Sequence, residues 1–251
     1  MNLLTTVKLK RHFGDTRAVD EVDLTVTEGE FLSLVGANGA GKTTLVNLIS
    51  AYLHPDDGKI LLYDQDITFS SVYDRVRAGI ARSFQLVNLF DDMSAFDNVT
   101  LAIFSREGKT HHPMRLAERD QEVTKEAVDL LAQFGLKAKR DVPAGGLAQG
   151  ERKLLDVAMA YALRPKLLFL DEPTSGVSTR DKLQIMDTVS SVVRAGNVTA
   201  VVIEHDMDVV FKYSDRIVAM HEGRILADGT PDEIRRNEVV AMTLLGVPTF
   251  A

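Results

Sequence analysis

Cysteine is absent from this chain, and that absence removes two classes of protein at once. Without thiols there is neither a disulfide framework nor a thiolate metal site, which agrees with a reducing compartment. Long apolar runs are missing too. No stretch approaches the ~18 residues of a membrane-spanning helix, and residues 1–10 lack the basic-then-apolar order of a secretory leader. The expectation is a chain that stays in the cytoplasm. Positive charge is the scarcer sign, with 29 Lys and Arg against 36 Asp and Glu and a net charge of -7. Binding to a nucleic-acid backbone is driven by Lys and Arg neutralising phosphates, so no nucleic-acid partner is expected. What remains is ordinary globular composition. With 251 residues, 45% hydrophobic and 26% charged, the chain suffices for one large α/β domain or a core with a subdomain.

Short strand-like segments at residues 7–10, 22–26, 31–35 and 59–63 are separated by turns at Gly14-Asp15 and Glu28-Gly29. The texture turns helical between about Asn88 and Met159, where Val123, Ala127, Val128, Leu130, Leu131 and Phe134 recur at spacings of three and four. The last third alternates helical stretches with unbroken apolar runs at residues 167–170, 198–203 and 217–220. Apolar strands without alternation are buried on both faces, as in a parallel sheet flanked by helices. Thr230-Pro231-Asp232-Glu233 has the pattern of a helix start, with Thr230 as cap and Glu233 placed to complete a capping box. The most linker-like stretch is 105–113. It ends in His111-His112-Pro113, and two histidines are too few to close a metal site.

Gly36-Ala37-Asn38-Gly39-Ala40-Gly41-Lys42-Thr43 follows the apolar run Phe31–Val35. This is the pattern of a phosphate-cradling loop between a strand and a helix. The glycines allow a tight turn that points backbone N–H groups at phosphate oxygens, and the following helix adds the positive end of its dipole. Lys42 is then expected on the β- and γ-phosphates and the Thr43 hydroxyl on Mg²⁺. A second apolar run, Leu167-Leu168-Phe169-Leu170, ends in Asp171-Glu172. Alone, this acidic pair could equally cap a helix beginning near Pro173. Beside a phosphate loop it fits phosphoryl transfer, with Asp171 as a Mg²⁺ partner and Glu172 polarising the attacking water.

With these motifs in order, the chain resembles an ATP-binding-cassette (ABC) transporter ATPase over essentially its whole length. The resemblance implies ATP and Mg²⁺ as cofactors. It places ATP on Phe13, the aromatic that stacks on adenine, and on Gly36, Asn38, Gly39, Ala40, Gly41, Lys42, Thr43 and Thr44. Gln85, in Ala81-Arg82-Ser83-Phe84-Gln85, matches the glutamine that contacts Mg²⁺ and the attacking water, and His205 matches the histidine that contacts the γ-phosphate. Thr43, Gln85 and Asp171 are therefore expected at the metal, and Glu172, His205 and Gln85 at the chemistry. The family signature, Leu-Ser-Gly-Gly-Gln/Glu, is matched by Leu147-Ala148-Gln149-Gly150-Glu151. Its helix N-terminus would receive the γ-phosphate of an ATP held by a second subunit. Ala148 lacks the serine hydroxyl, and Gln149 replaces a glycine. A further departure is Ser178, which stands where the family carries an aspartate in the loop that passes information between the two ATP sites.

The implied fold is α/β: a P-loop NTPase core with a mainly parallel sheet, an N-terminal antiparallel β subdomain and an α-helical subdomain. The expected division is residues 1–86 and 157–251 for the core and 87–156 for the helical subdomain. Gly79-Ile80-Ala81-Arg82-Ser83-Phe84-Gln85, Ile203-Glu204-His205-Asp206-Met207 and Gly229-Thr230-Pro231 are nearest to the branch serving importers of branched-chain and other hydrophobic amino acids. The expected partners are a second ABC ATPase subunit, two membrane-spanning permeases and, at the level of the system, a solute-binding protein. The expected location is the cytoplasmic face of the membrane. A motor for lipid or polysaccharide export, a soluble cassette protein without a transport role and a nucleotide-binding regulator without turnover are the alternatives. Retention of Glu172 and His205 speaks against the last, because a pure binder needs no water-activating carboxylate.

Overall fold

Two strands of 12 residues each, β1 (Asn2–Phe13) and β2 (Thr16–Thr27), open the chain and pair antiparallel. They run longer than the segments at 7–10 and 22–26 that the residue pattern marks. The reason is local: Lys8 and Glu21 take positive φ in mid-strand and the β1–β2 register shifts around them, so the period of two is interrupted. Strand β4 (Asp57–Leu62) pairs with the other edge of β1 and β5 (Gln65–Asp66) with β4, giving the order β2-β1-β4-β5. Leu4, Leu9, Val22, Leu24 and Ile60 are buried.

This antiparallel sheet belongs to the first of two compact units, Met1–Arg75 with Thr199–Ala251; the second is Val76–Val198. The computed structural model describes residues 1–83, 88–109 and 120–245.

The first unit also contains β3 (Phe31–Val35), all five residues buried, with parallel neighbours β8 (Thr199–Ile203) and β9 (Arg216–His221); β10 (Arg224–Gly229) pairs antiparallel with β9. Helix α1 (Lys42–Ile49) follows β3. No basic residue lies in its last turn, and the positive charge there comes from Arg75 on α2 (Val72–Ala78). Arg75 is 1% exposed; its guanidinium donates to the Leu48 and Ile49 carbonyls at 2.5 Å and to those of Ile67 and Thr68 at 2.8 Å. Burial pulls its pKa down to about 10, so it stays charged at neutral pH and complements the carbonyl end of α1. Toward the C-terminus, α7 (Met207–Tyr213) and α8 (Pro231–Arg236) pack Val210 and Ile234 into one cluster with Val35, Ile217 and Ala219. The capping box at Thr230 forms as the residues predict: its N–H donates to Glu233 at 2.7 Å, and its hydroxyl accepts from the Glu233 N–H at 3.4 Å.

The second unit pairs β6 (Ile80–Ser83) parallel with β7 (Leu167–Asp171) and, among the described residues, adds the helices α3 (Ala95–Glu107), α4 (Gln121–Gln133), α5 (Gln149–Ala162) and α6 (Thr179–Ala195). Helix α4 buries Val123, Ala127, Leu130 and Leu131, the apolar stripe read from their spacing. The linker-like stretch beginning at residue 105 is helical at its start, because α3 continues to Glu107 and closes on Gly108. Arg106 forks onto both oxygens of Glu126 at 2.6 and 2.9 Å and reaches the Ala162 carbonyl at 2.8 Å, tying α3 to α4 and to the end of α5. Among the described residues no helix is long and apolar enough to cross a membrane.

Candidate functional site

Strand β3 is apolar except for Ser33, whose hydroxyl accepts from that of Ser214 at 2.6 Å; it is buried along its length and delivers the chain at Val35 into a loop whose shape its neighbours impose. Gly36 takes φ 153, and a Cβ there would run into the Met220 carbonyl; Gly41 takes φ 101, and a Cβ there would meet the Ala18 carbonyl. The loop can therefore approach these strands only as glycine. Asn38 and Gly39 remain exposed, as does Thr43, while Thr44 is half-buried and Ala40 and Gly41 are buried. Helix α1 starts at Lys42 with no acidic residue in its first turn, which leaves its N–H groups and positive dipole end to an anion. The Lys42 ammonium lies folded over the loop, donating to the Gly36 carbonyl at 2.7 Å and the Ala37 carbonyl at 3.0 Å.

Two further candidates belong to this first unit. Phe13 ends β1 and is 46% exposed. The Arg11 guanidinium lies 4.9 Å from its ring centroid and is pinned by Asp56 at 2.7 Å, so one face of the ring is backed by a cation. His205 follows β8 and is exposed; its N–H donates to the buried Glu204 carboxylate at 3.2 Å.

The second unit carries the acidic pair and the signature stretch. Asp171 is the last residue of β7 and its side chain is 4% exposed; Arg82, on the adjacent β6, donates to its Oδ2 at 2.7 Å. Glu172 follows with φ 48, a left-handed backbone that costs a non-glycine residue about 1–2 kcal/mol. That turn is held from two sides. The Ser175 N–H donates to the Glu172 carbonyl at 3.0 Å, and the buried Lys153 ammonium donates to the same carbonyl at 3.2 Å and to the Ser175 hydroxyl at 3.1 Å.

The signature residues form the start of α5. Leu147 is buried, Ala148 and Gln149 are exposed, and Gly150 touches Ile185. Glu151 accepts from the Ala148 N–H at 2.9 Å, which is half of a capping box; Ala148 has no oxygen to complete it. Glu151 also pairs with Lys139 at 3.2 Å. Ser178 has a local role: its hydroxyl caps α6, accepting from the Asp181 N–H at 3.3 Å and donating to the Asp181 carboxylate at 2.7 Å. Serine and aspartate are comparable helix caps.

Phe13, the phosphate loop and His205 thus stand in one unit, and Asp171, Glu172 and the signature stretch in the other. Gln85, His111 and His112 lie outside the described residues. Among the described residues no three His, Cys, Asp or Glu gather as metal ligands. Mg²⁺ is commonly held by one or two carboxylates together with substrate phosphates, and the Thr43 hydroxyl in the first unit and the Asp171 carboxylate in the second are each oxygen donors of the kind it takes. The residues that sequence reasoning passed over are Arg82, Lys153 and Arg11. Each reads in the sequence as an ordinary surface charge.

A sequence model described as ABC transporter matches residues 19–175. The high-affinity branched-chain amino acid transport ATP-binding protein LivG of Escherichia coli is 34% identical over 252 residues, covering 97% of this chain and 98% of that one. Its counterpart BraF of Pseudomonas aeruginosa is 35% identical over 251 residues, with 97% and 98% covered. The crystal structure of an ATP-binding cassette of an ABC transporter in its ADP conformation superposes with a TM-score of 0.85 at 28% identity, covering 98% of this chain and 100% of the other.

Proposed function

This chain belongs to the ABC transporter family, and from that premise we propose that it is the ATP-hydrolysing motor subunit of an importer of branched-chain or related amino acids. As a family member it is an ATPase. The import of branched-chain amino acids is supported by the relatives that match it end to end and carry that name.

The observation that carries the reading is the phosphate loop. A buried strand, two glycines under neighbouring carbonyls and a helix start free of acid make an anion cradle with Lys42 above it. Phe13, with Arg11 behind one face, offers the other to adenine. Residues Gly36, Asn38, Gly39, Ala40, Gly41, Lys42, Thr43 and Thr44 take the phosphates. Thr43, Asp171 and Gln85 would hold Mg²⁺, which when bound would supply positive charge against the phosphates. Glu172 accepts a proton from the attacking water, Gln85 and His205 orient water and γ-phosphate, and Leu147 to Glu151 face the ATP of a second subunit.

The working assembly in this reading is a pair of ATPase subunits on two membrane-spanning permeases, with a solute-binding protein delivering the amino acid. The subunit sits on the inner face of the membrane through the permeases, with residues 1–86 and 157–251 as the catalytic core and 87–156 as the helical subdomain that meets them. The test is steady-state hydrolysis by the purified chain with and without its permeases, followed by amino acid uptake in reconstituted vesicles. Glu172→Gln should keep MgATP binding and slow hydrolysis by about 10²–10⁴. Lys42→Ala should weaken binding itself. Near-wild-type turnover in the first variant, or unchanged ATP affinity in the second, would remove these residues from the mechanism.

A further inference from the structure

Helix α5 grips the turn after β7 at two points on one face. Lys153 is 4% exposed, and its ammonium reaches the Glu172 carbonyl and the Ser175 hydroxyl. Four residues earlier, one helical turn back, Gln149 fills the space above Gly176, where a Cβ would collide with its Nε2. Gln149 thus stands where the family has glycine, and Gly176 leaves it room.

The gripped turn begins with Glu172 in a left-handed backbone. Its carbonyl accepts from both the Ser175 N–H and Lys153. A side chain leaves the chain in a direction set by its own backbone, so fixing the Glu172 carbonyl fixes where its carboxylate can reach. The hydrogen bonds from the ammonium are charge-assisted and stronger than neutral ones.

We propose that Lys153 is a positioning residue for Glu172, and that through it the helix meant for a partner's ATP aims the carboxylate that serves the subunit's own ATP. This rests on the ATPase reading above. Ser178 occupies the position through which the family passes information between sites, and here it caps α6. Lys153 and Gln149 bridge instead straight from the signature helix to the turn that carries the carboxylate.

The test compares Lys153→Met and Lys153→Arg in the full chain. With Lys153→Met, kcat should fall about ten-fold or more with KM changed less than about two-fold, and Lys153→Arg should restore most of the loss. In the Glu172→Gln background, adding Lys153→Met should leave ATP affinity unchanged. Ser175→Ala removes the hydroxyl that accepts from Lys153 without touching the helix; it should lower kcat in the same direction by a smaller factor, and it carries the test should Lys153→Met fail to fold. Turnover within two-fold of wild type in Lys153→Met or, where that variant does not fold, in Ser175→Ala overturns the proposal, as does a parallel loss of ATP binding. A wild-type chain without hydrolysis would count against the ATPase reading instead. In that case hydrogen exchange at the Ser175 amide decides: faster exchange in Lys153→Met supports the grip, and equal exchange refutes it.

Discussion

Arg82 donates to Asp171 at 2.7 Å across adjacent strands, with the two side chains 7% and 4% exposed. The guanidinium takes Oδ2, so the carboxylate proposed for the metal is fixed through one oxygen. Removing one member of a buried pair leaves an uncompensated charge and costs about 3–5 kcal/mol, whereas replacing both with apolar side chains can be nearly neutral. Arg82→Met should therefore lower the urea midpoint strongly, and adding Asp171→Leu should recover most of the loss. An Arg82→Met variant as stable as wild type would show that the pair contributes nothing.

Ala148→Ser should act twice. Within the subunit it completes the capping box with Glu151 and adds about 1 kcal/mol to stability. In the proposed dimer it would restore a donor for the partner's γ-phosphate, and it should strengthen ATP-dependent dimerisation in a Glu172→Gln background. Ala148→Asp separates the effects, because it caps equally well but repels phosphate. Thermal melts should rise for both variants, and sedimentation should report more dimer for serine alone.

Phe90 is 54% exposed, and its loop is held by Asn98, which accepts from the Phe90 N–H at 2.9 Å and donates to its carbonyl at 3.1 Å. In the proposed assembly this loop meets the permease. Phe90→Glu, and the same change at half-buried Leu89, should release the subunit from permease-containing membranes while ATP binding persists. Fractionation of cells with and without the permeases checks this, and binding to membranes that lack them would contradict it.

The helical unit should weaken in acid. Hydrogen bonds from Arg106, with its charge and that of Arg164 behind them, hold the Glu126 carboxyl below its ordinary value of 4.5. A carboxylate depressed in the folded state contributes stability that is complete above the unfolded value and lost as pH falls through the folded one. Stability should decline as pH drops below about 4.5, and Glu126→Gln should be less stable at neutral pH with a flatter acid limb. Denaturant midpoints across that range give the answer; parallel curves for the two proteins would exclude Glu126 as a source of the acid limb.

Features that depend on consecutive residues are legible in the chain alone. The phosphate loop, the apolar strands β3, β7 and β8 and the Thr230 capping box each lie within about ten residues of chain, where spacing and residue type are direct signals. What escapes depends on distant segments converging. Arg75 sits in Asp74-Arg75-Val76-Arg77, which reads as a solvated helix, yet it closes on four carbonyls from two other segments. Lys153 and Arg82 look equally ordinary until the turn after β7 and the end of that strand are seen beside them. The long strands β1 and β2 read as shorter ones because positive φ at Lys8 and Glu21 breaks the alternation that marks a strand.

The glycine contacts of the phosphate loop have a consequence for the order in which this protein can acquire its function. Gly36 lies beneath Met220 and Gly41 beneath Ala18, while Gly223 donates to the Ala40 carbonyl at 3.0 Å. The cradle is thus moulded partly by strand β9 and the turn that leads into β10, which are translated long after the loop itself. A nascent chain that has passed Thr43 but not reached Gly223 carries the whole octapeptide without the walls that shape it. Nucleotide recognition should therefore arise late in synthesis, and the loop transplanted alone would not bring it along.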